Sequence, residues 1–167
     1  MKLSGGILVL VSMIFTGMRI SLRLKKRVCF LSDTVLFISQ VSMDIEYVNL
    51  PLYEILKKAA EGNCCSSLDF IPLCLELWQQ GEDFAFSWER SLELSHLPMN
   101  KQEKQRLKNL GSLLGTSDVN GQKNMLSLYS SYFTAYYEKA AEEYEKYGKM
   151  CVTLSTVAGT GIFILLI

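Results

Sequence analysis

Residues 150–167 read MCVTLSTVAGTGIFILLI, eighteen positions without a charge. As a helix this run rises about 27 Å at 1.5 Å per residue, close to the roughly 30 Å of a bilayer's hydrocarbon core. A second uncharged run, Leu3–Met18, lies at the other end of the chain. All 17 acidic residues, and every basic residue except Lys2, fall between Met18 and Met150. This pattern predicts three parts: an N-terminal membrane segment over 1–22, a helical body over 23–149 and a C-terminal membrane segment over 150–167.

Composition narrows the function classes. Hydrophobic residues make up 49 % of the 167, high for a soluble domain, and the excess sits at the two ends. The net charge is zero and nothing resembles a nucleic-acid-binding surface, so a nucleic-acid partner is not expected. Five cysteines are an odd number, and Cys64 adjoins Cys65, which argues against a secreted disulfide framework. They fit reduced thiols acting as small apolar residues in a cytoplasmic body. No C-x-x-C pair occurs and the lone His96 is remote in sequence, so no metal site is expected.

Flanking charge sets the expected topology. Arg19, Arg23, Lys25, Lys26 and Arg27 follow the first apolar run, and Lys139, Lys146 and Lys149 precede the second. Positive charge holds a flank in the cytoplasm. Both flanks then predict a multi-pass protein with a cytoplasmic body and both termini across the membrane. A secretory signal needs a small-x-small cleavage site after its apolar core, and none follows here. A cleaved signal with a C-terminal tail anchor is the alternative topology. Ser155-x-x-x-Gly159 has the spacing of a close helix contact in lipid; a merely tolerated composition is the other reading.

Within the body, apolar residues recur at Leu24, Val28, Leu31, Val35, Ile38, Val41, Ile45 and Val48. Spacings of three and four predict a helix with one apolar stripe, continuous with the first membrane segment. Its stop is expected at Asn49-Leu50-Pro51, with Pro51 in the first turn of the next helix. Leu52, Ile55, Leu56 and Ala59 should face inward and Gly62-Asn63 end that helix. A third helix is expected over 66–80, with Pro72 forcing a start near Ile71 or a kink, and Gly81 closing it. A fourth, 83–94, should bury Phe84, Trp88 and Leu92. Asn100 and Glu103 open a fifth with a capping-box pattern, running to Leu114 and ending at Gly115. Asp118 is a cap candidate for the last helix, expected to continue into the second membrane segment with Gly148 as its weakest point. No stretch alternates with period two, so the fold class is all-α: an antiparallel helical bundle whose long first and last helices run into the membrane.

Catalytic signatures are missing. There is no phosphate loop, no G-x-S-x-G elbow and no H-E-x-x-H pair. His96 beside Pro98 reads as a loop residue. Glu142/Lys146 and Glu145/Lys149 read as i,i+4 pairs on a solvated face. Tyr129, Tyr132, Phe133, Tyr136, Tyr137, Tyr144 and Tyr147 fit core packing and then the headgroup region, with a partner surface as the alternative. No catalytic, cofactor-binding or metal residue is assigned, and no cofactor is expected.

Several stretches together resemble the stage III sporulation protein AB family: Met1-Lys2-Leu3 with Gly5 and Gly6, Glu46-Tyr47 with Pro51-Leu52, Trp88-Glu89-Arg90-Ser91-Leu92, and Leu114-Gly115-Thr116-Ser117-Asp118 followed by Gln122. That resemblance implies a scaffold in a sporulation channel complex between mother cell and forespore, similar to the inner-membrane platform proteins of type II secretion. It implies a secretion-type ATPase and other channel membrane proteins as partners, with membrane lipid around the ends and self-association into a homo-oligomer as a further expectation. The expected location is the mother-cell membrane of the sporulating cell. A membrane-anchored helical signalling or adaptor module is the alternative, and an enzyme is the least expected class.

Overall fold

The computed structural model describes residues 2–48, 50–62, 65–114 and 119–166, and every regular element among them is helical. They divide into two compact units, Cys29–Tyr137 on one hand and Met1–Val28 with Glu138–Ile167 on the other.

Helix α1 runs unbroken over Lys2–Met43 and widens into a π-helical turn over Asp44–Val48. The expected continuity of the first apolar run with the amphipathic stripe therefore holds. Asn49 lies outside the described residues. Pro51 sits at the cap of α2 (Leu52–Glu61), one position before the first turn where it was expected, with an extended ψ of 144°. Ile55 and Leu56 are buried, Leu52 and Ala59 half-buried. Gly62 takes the C-cap; Asn63 and Cys64 lie outside the described residues.

Helix α3 spans Phe70–Gln79 and carries Pro72 at its third position. The missing proline N–H is one that no first-turn residue would have bonded, so the chain starts the helix there rather than kinking it. Gly81 follows with φ +96°, a left-handed conformation that glycine adopts without strain. Helix α4, Phe84–Leu94, is capped by Asp83, whose Oδ2 accepts from the Ala85 N–H at 3.0 Å. Helix α5, Lys101–Leu113, opens on the expected capping box: Asn100 Oδ1 accepts from the Glu103 N–H at 2.8 Å, and Glu103 Oε2 from the Asn100 N–H at 2.7 Å. Gly115–Asp118 lie outside the described residues, and with them the expected stop and the Asp118 cap. Helix α6, Val119–Glu143, passes through a second π-helical turn, Tyr144–Gly148, into α7, Lys149–Leu166. The last helical path is thus continuous, and its irregular turn ends at the residue expected to be weakest.

In the unit Cys29–Tyr137, α1 contributes Phe30, Leu31, Phe37, Ile38 and Val41 to the core. The buried face keeps Leu31, Ile38 and Val41 of the expected stripe but is turned towards Phe30, Thr34, Phe37 and Asp44, which are also in, while Val48 is exposed. Aromatic rings remove more area from water than the valines they displace, and they set the rotation.

In the other unit, Gly17 lies against Ser155 and Cys151, Ser21 near Gly148, and Arg27 Nη1 bonds Glu143 Oε2 at 3.0 Å. One set of numbers rises while the other falls, so the two helices run antiparallel there. A Cβ on Gly17 would stand 2.6 Å from Ser155 Oγ. Ser155 therefore takes part in a close helix contact, and Gly159 is buried one turn on. The helical stretch Val11–Val48 is long and apolar enough to cross a membrane, and it is the one that is among the described residues.

Candidate functional site

Trp88 is the point on which the larger unit converges. The Asp83 cap starts α4 so that the indole faces inward, fully buried. Its Nε1–H donates to the Leu107 carbonyl on α5 at 2.8 Å. Gly111 stands four residues beyond Leu107, and a Cβ there would overlap the indole outright. The glycine lets the ring lie on the α5 backbone and reach a helix carbonyl that a side chain would cover. Phe37 of α1, Phe70 of α3 and Phe84 close round it, with ring centroids 6.2, 5.1 and 5.8 Å away. Ser91 Oγ donates to the Trp88 carbonyl at 2.8 Å. Cys74 is buried in this core, and burial pushes its thiol up to about 12 against the opposing pull of a Ser91 hydrogen bond.

Charged groups occupy three further places in the same unit. Lys108 Nζ bridges Glu89 at 2.8 Å and Glu93 at 2.9 Å, joining α5 to α4. The Glu89 and Glu93 hydrogen bonds hold the Lys108 ammonium above the usual lysine value, and the Lys108 bond holds Glu93 below the usual carboxylate value. Arg106 lies over the Tyr132 ring, 3.7 Å from its centroid, and its Nε donates to Tyr136 Oη at 2.8 Å. Asp44, 2 % exposed at the wide turn ending α1, accepts from Lys58 Nζ at 2.8 Å and from Gln40 Nε2 at 3.2 Å. Lys123 pairs with Glu46 in that same turn, and Glu46 raises the Lys123 ammonium.

The residues singled out from sequence fall as follows. His96 is exposed in the loop after α4. Cys29 is exposed, Cys65 and Cys151 are half-buried and Cys74 is buried. Among the described residues no three of His, Cys, Asp and Glu come together in a way that could hold a metal ion. Tyr129 and Phe133 are buried, and burial raises the Tyr129 hydroxyl. With Tyr132 and Tyr136 under Arg106, the body half of the tyrosine series packs helices together. The Glu142/Lys146 pair does not form, because the wide turn starts between its members and shifts the register. Lys146 lies instead over the Tyr147 ring, 5.3 Å from its centroid, and Glu143 goes to Arg27. The Lys149 side chain lies outside the described residues.

Sequence reasoning missed Gly111, the Asp44–Lys58 pair and Arg106. Only Gly111 left a signal: a lone glycine inside a helical pattern usually has a packing reason.

The Trp88 segment on α4 is one of the stretches that carried the resemblance, and it proves to be the hub of the core. The family model described as stage III sporulation protein AB matches residues 2–167. The chain belongs to the stage III sporulation protein AB family. No curated protein and no solved structure matches it. Membership makes this a sporulation-related protein. Together with the membrane-length helix near its N-terminus, it points to membrane association.

Proposed function

We propose that this member of the stage III sporulation protein AB family is a non-catalytic platform in the mother-cell membrane. It links a cytoplasmic secretion-type ATPase to the membrane components of a channel between mother cell and forespore. The observation that carries this is α1: one helix runs from an apolar N-terminal segment directly into the body, ending beside its core. Such a helix passes a displacement along its length, which is what a coupling element needs. Family membership supplies the sporulation context. The same proposal takes α7 as a second membrane segment, the body as an antiparallel bundle and its location as the cytoplasm. Lys108, Arg106, the Asp44–Lys58 pair and the Lys123–Glu46 pair each join one helical segment to another, as in a part built for position rather than turnover.

Affinity capture of the full-length protein from sporulating cells tests it. A secretion-type ATPase and further channel proteins should be recovered in stoichiometric amounts. Recovery of neither, from a preparation in which the bait is intact and membrane-bound, overturns the proposal.

A further inference from the structure

The chain has no net charge, yet its two units do. Met1–Val28 with Glu138–Ile167 carries nine basic and four acidic residues; Cys29–Tyr137 carries eight and thirteen. Within the positive unit the cations are concentrated. Arg19, Arg23, Lys25 and Lys26 occupy two turns of α1 immediately after the uncharged run Leu3–Met18, and all four are exposed. Arg19, Arg23 and Lys26 share a face by their spacing, and Lys25 lies about a third of a turn round from it, so the positive charge covers roughly half of the helix surface. Arg27 beside them is taken by Glu143. Among the described residues no carboxylate pairs with the other four, although the same unit carries Glu138, Glu142 and Glu145.

Like charges one turn apart repel, so this cluster weakens the helix unless a counter-charge meets it. Its position says what that counter-charge is. Directly after an apolar segment, long cationic side chains reach the level of the lipid headgroups. Attraction there to anionic lipid extends over about a Debye length, near 10 Å in ordinary salt. We infer that Arg19, Arg23, Lys25 and Lys26 form a cationic collar on α1, at the end of its apolar segment, that selects anionic phospholipid headgroups. This rests on the membrane reading of α1 given above.

The test uses the full-length protein reconstituted in phosphatidylcholine vesicles with a trace of spin-labelled phosphatidylglycerol or spin-labelled phosphatidylcholine. The fraction of each label immobilised against the protein is read by electron spin resonance. Phosphatidylglycerol should be favoured about fivefold or more. The preference should fall to near parity in the variant Arg19→Gln, Arg23→Gln, Lys25→Gln, Lys26→Gln, and also for the unaltered protein in about 1 M salt, where the Debye length is about 3 Å. An unchanged phosphatidylcholine fraction in that variant shows that it still inserts and that the loss is selective. Parity in the unaltered protein, or a preference that survives in the variant, overturns the collar while leaving the membrane reading standing. No immobilised lipid of either kind overturns both. Lipid parity, with chains associating through the collar in a way the variant abolishes, assigns the cations to an acidic protein surface instead and overturns the lipid assignment.

Discussion

Gly111 fixes how near α4 comes to α5, because the Trp88 indole occupies the space its side chain would need. Gly111→Ala should lower the unfolding free energy by about 1–3 kcal/mol, the cost of overpacking a tight core, measured by urea titration of the full chain in detergent. Trp88→Phe should also destabilise, by about 1–3 kcal/mol, since it leaves a buried cavity and removes the only donor that reaches the Leu107 carbonyl from α4. Lys58→Met should cost about 1–3 kcal/mol by leaving the Asp44 carboxylate buried with Gln40 alone, and adding Asp44→Asn should recover part of that loss. Cys74 should not react with a thiol reagent at neutral pH while the chain is folded, whereas Cys29 should react. The sign of its linkage follows: the folded chain keeps a proton that the unfolded chain releases near 9.0. Its contribution is therefore complete below pH 9 and lost as pH rises towards 12. At this scale the sequence was only partly legible. Trp88 announced itself by size, but its acceptor is a backbone carbonyl nineteen residues away, and no pattern of side chains marks such a bond.

At the scale of elements, the helix ends were the readable part, because caps are local chemistry. Asn100 and Glu103 do what their types and spacing predict, and Asp83, where the fourth helix was expected to begin, turns out to be its cap. Asn100→Ala should cost about 1 kcal/mol, read as a lower unfolding midpoint with an unchanged slope against urea. The two π-helical turns were not readable as such, although Gly148 drew attention to the second. A wide turn depends on what packs against it, and those neighbours are distant in sequence. The face of α1 was legible in part for a related reason: Leu31, Ile38 and Val41 are buried where periodicity puts them, while partners such as Trp88 settle which neighbours share that face. The small-residue spacing at Ser155 was legible, but its counterpart Gly17 is named only by the structure. Gly17→Val should force α1 and α7 apart where they now touch; a cysteine pair placed at that contact should cross-link in the parent chain and fail to do so in the variant.

For the whole molecule, the expectation that bears most on function is sidedness. In intact cells Cys65 should resist a membrane-impermeant thiol reagent until the membrane is opened; labelling in sealed cells would place the body on the other side. The order of synthesis adds a consequence of the α1 core contacts. Phe30, Leu31, Phe37, Ile38 and Val41 leave the ribosome early, yet Trp88, the ring stacked on Phe37, lies fifty-one residues after it, and the glycine that seats Trp88 lies later still. On the membrane reading of α1 proposed above, a sticky stretch would wait during that interval beside a bilayer able to accept it. Asp33 and Asp44, both within the same helical stretch, would then act as ballast: dragging either carboxylate into hydrocarbon costs several kcal/mol, which favours the segment in water until its own core arrives.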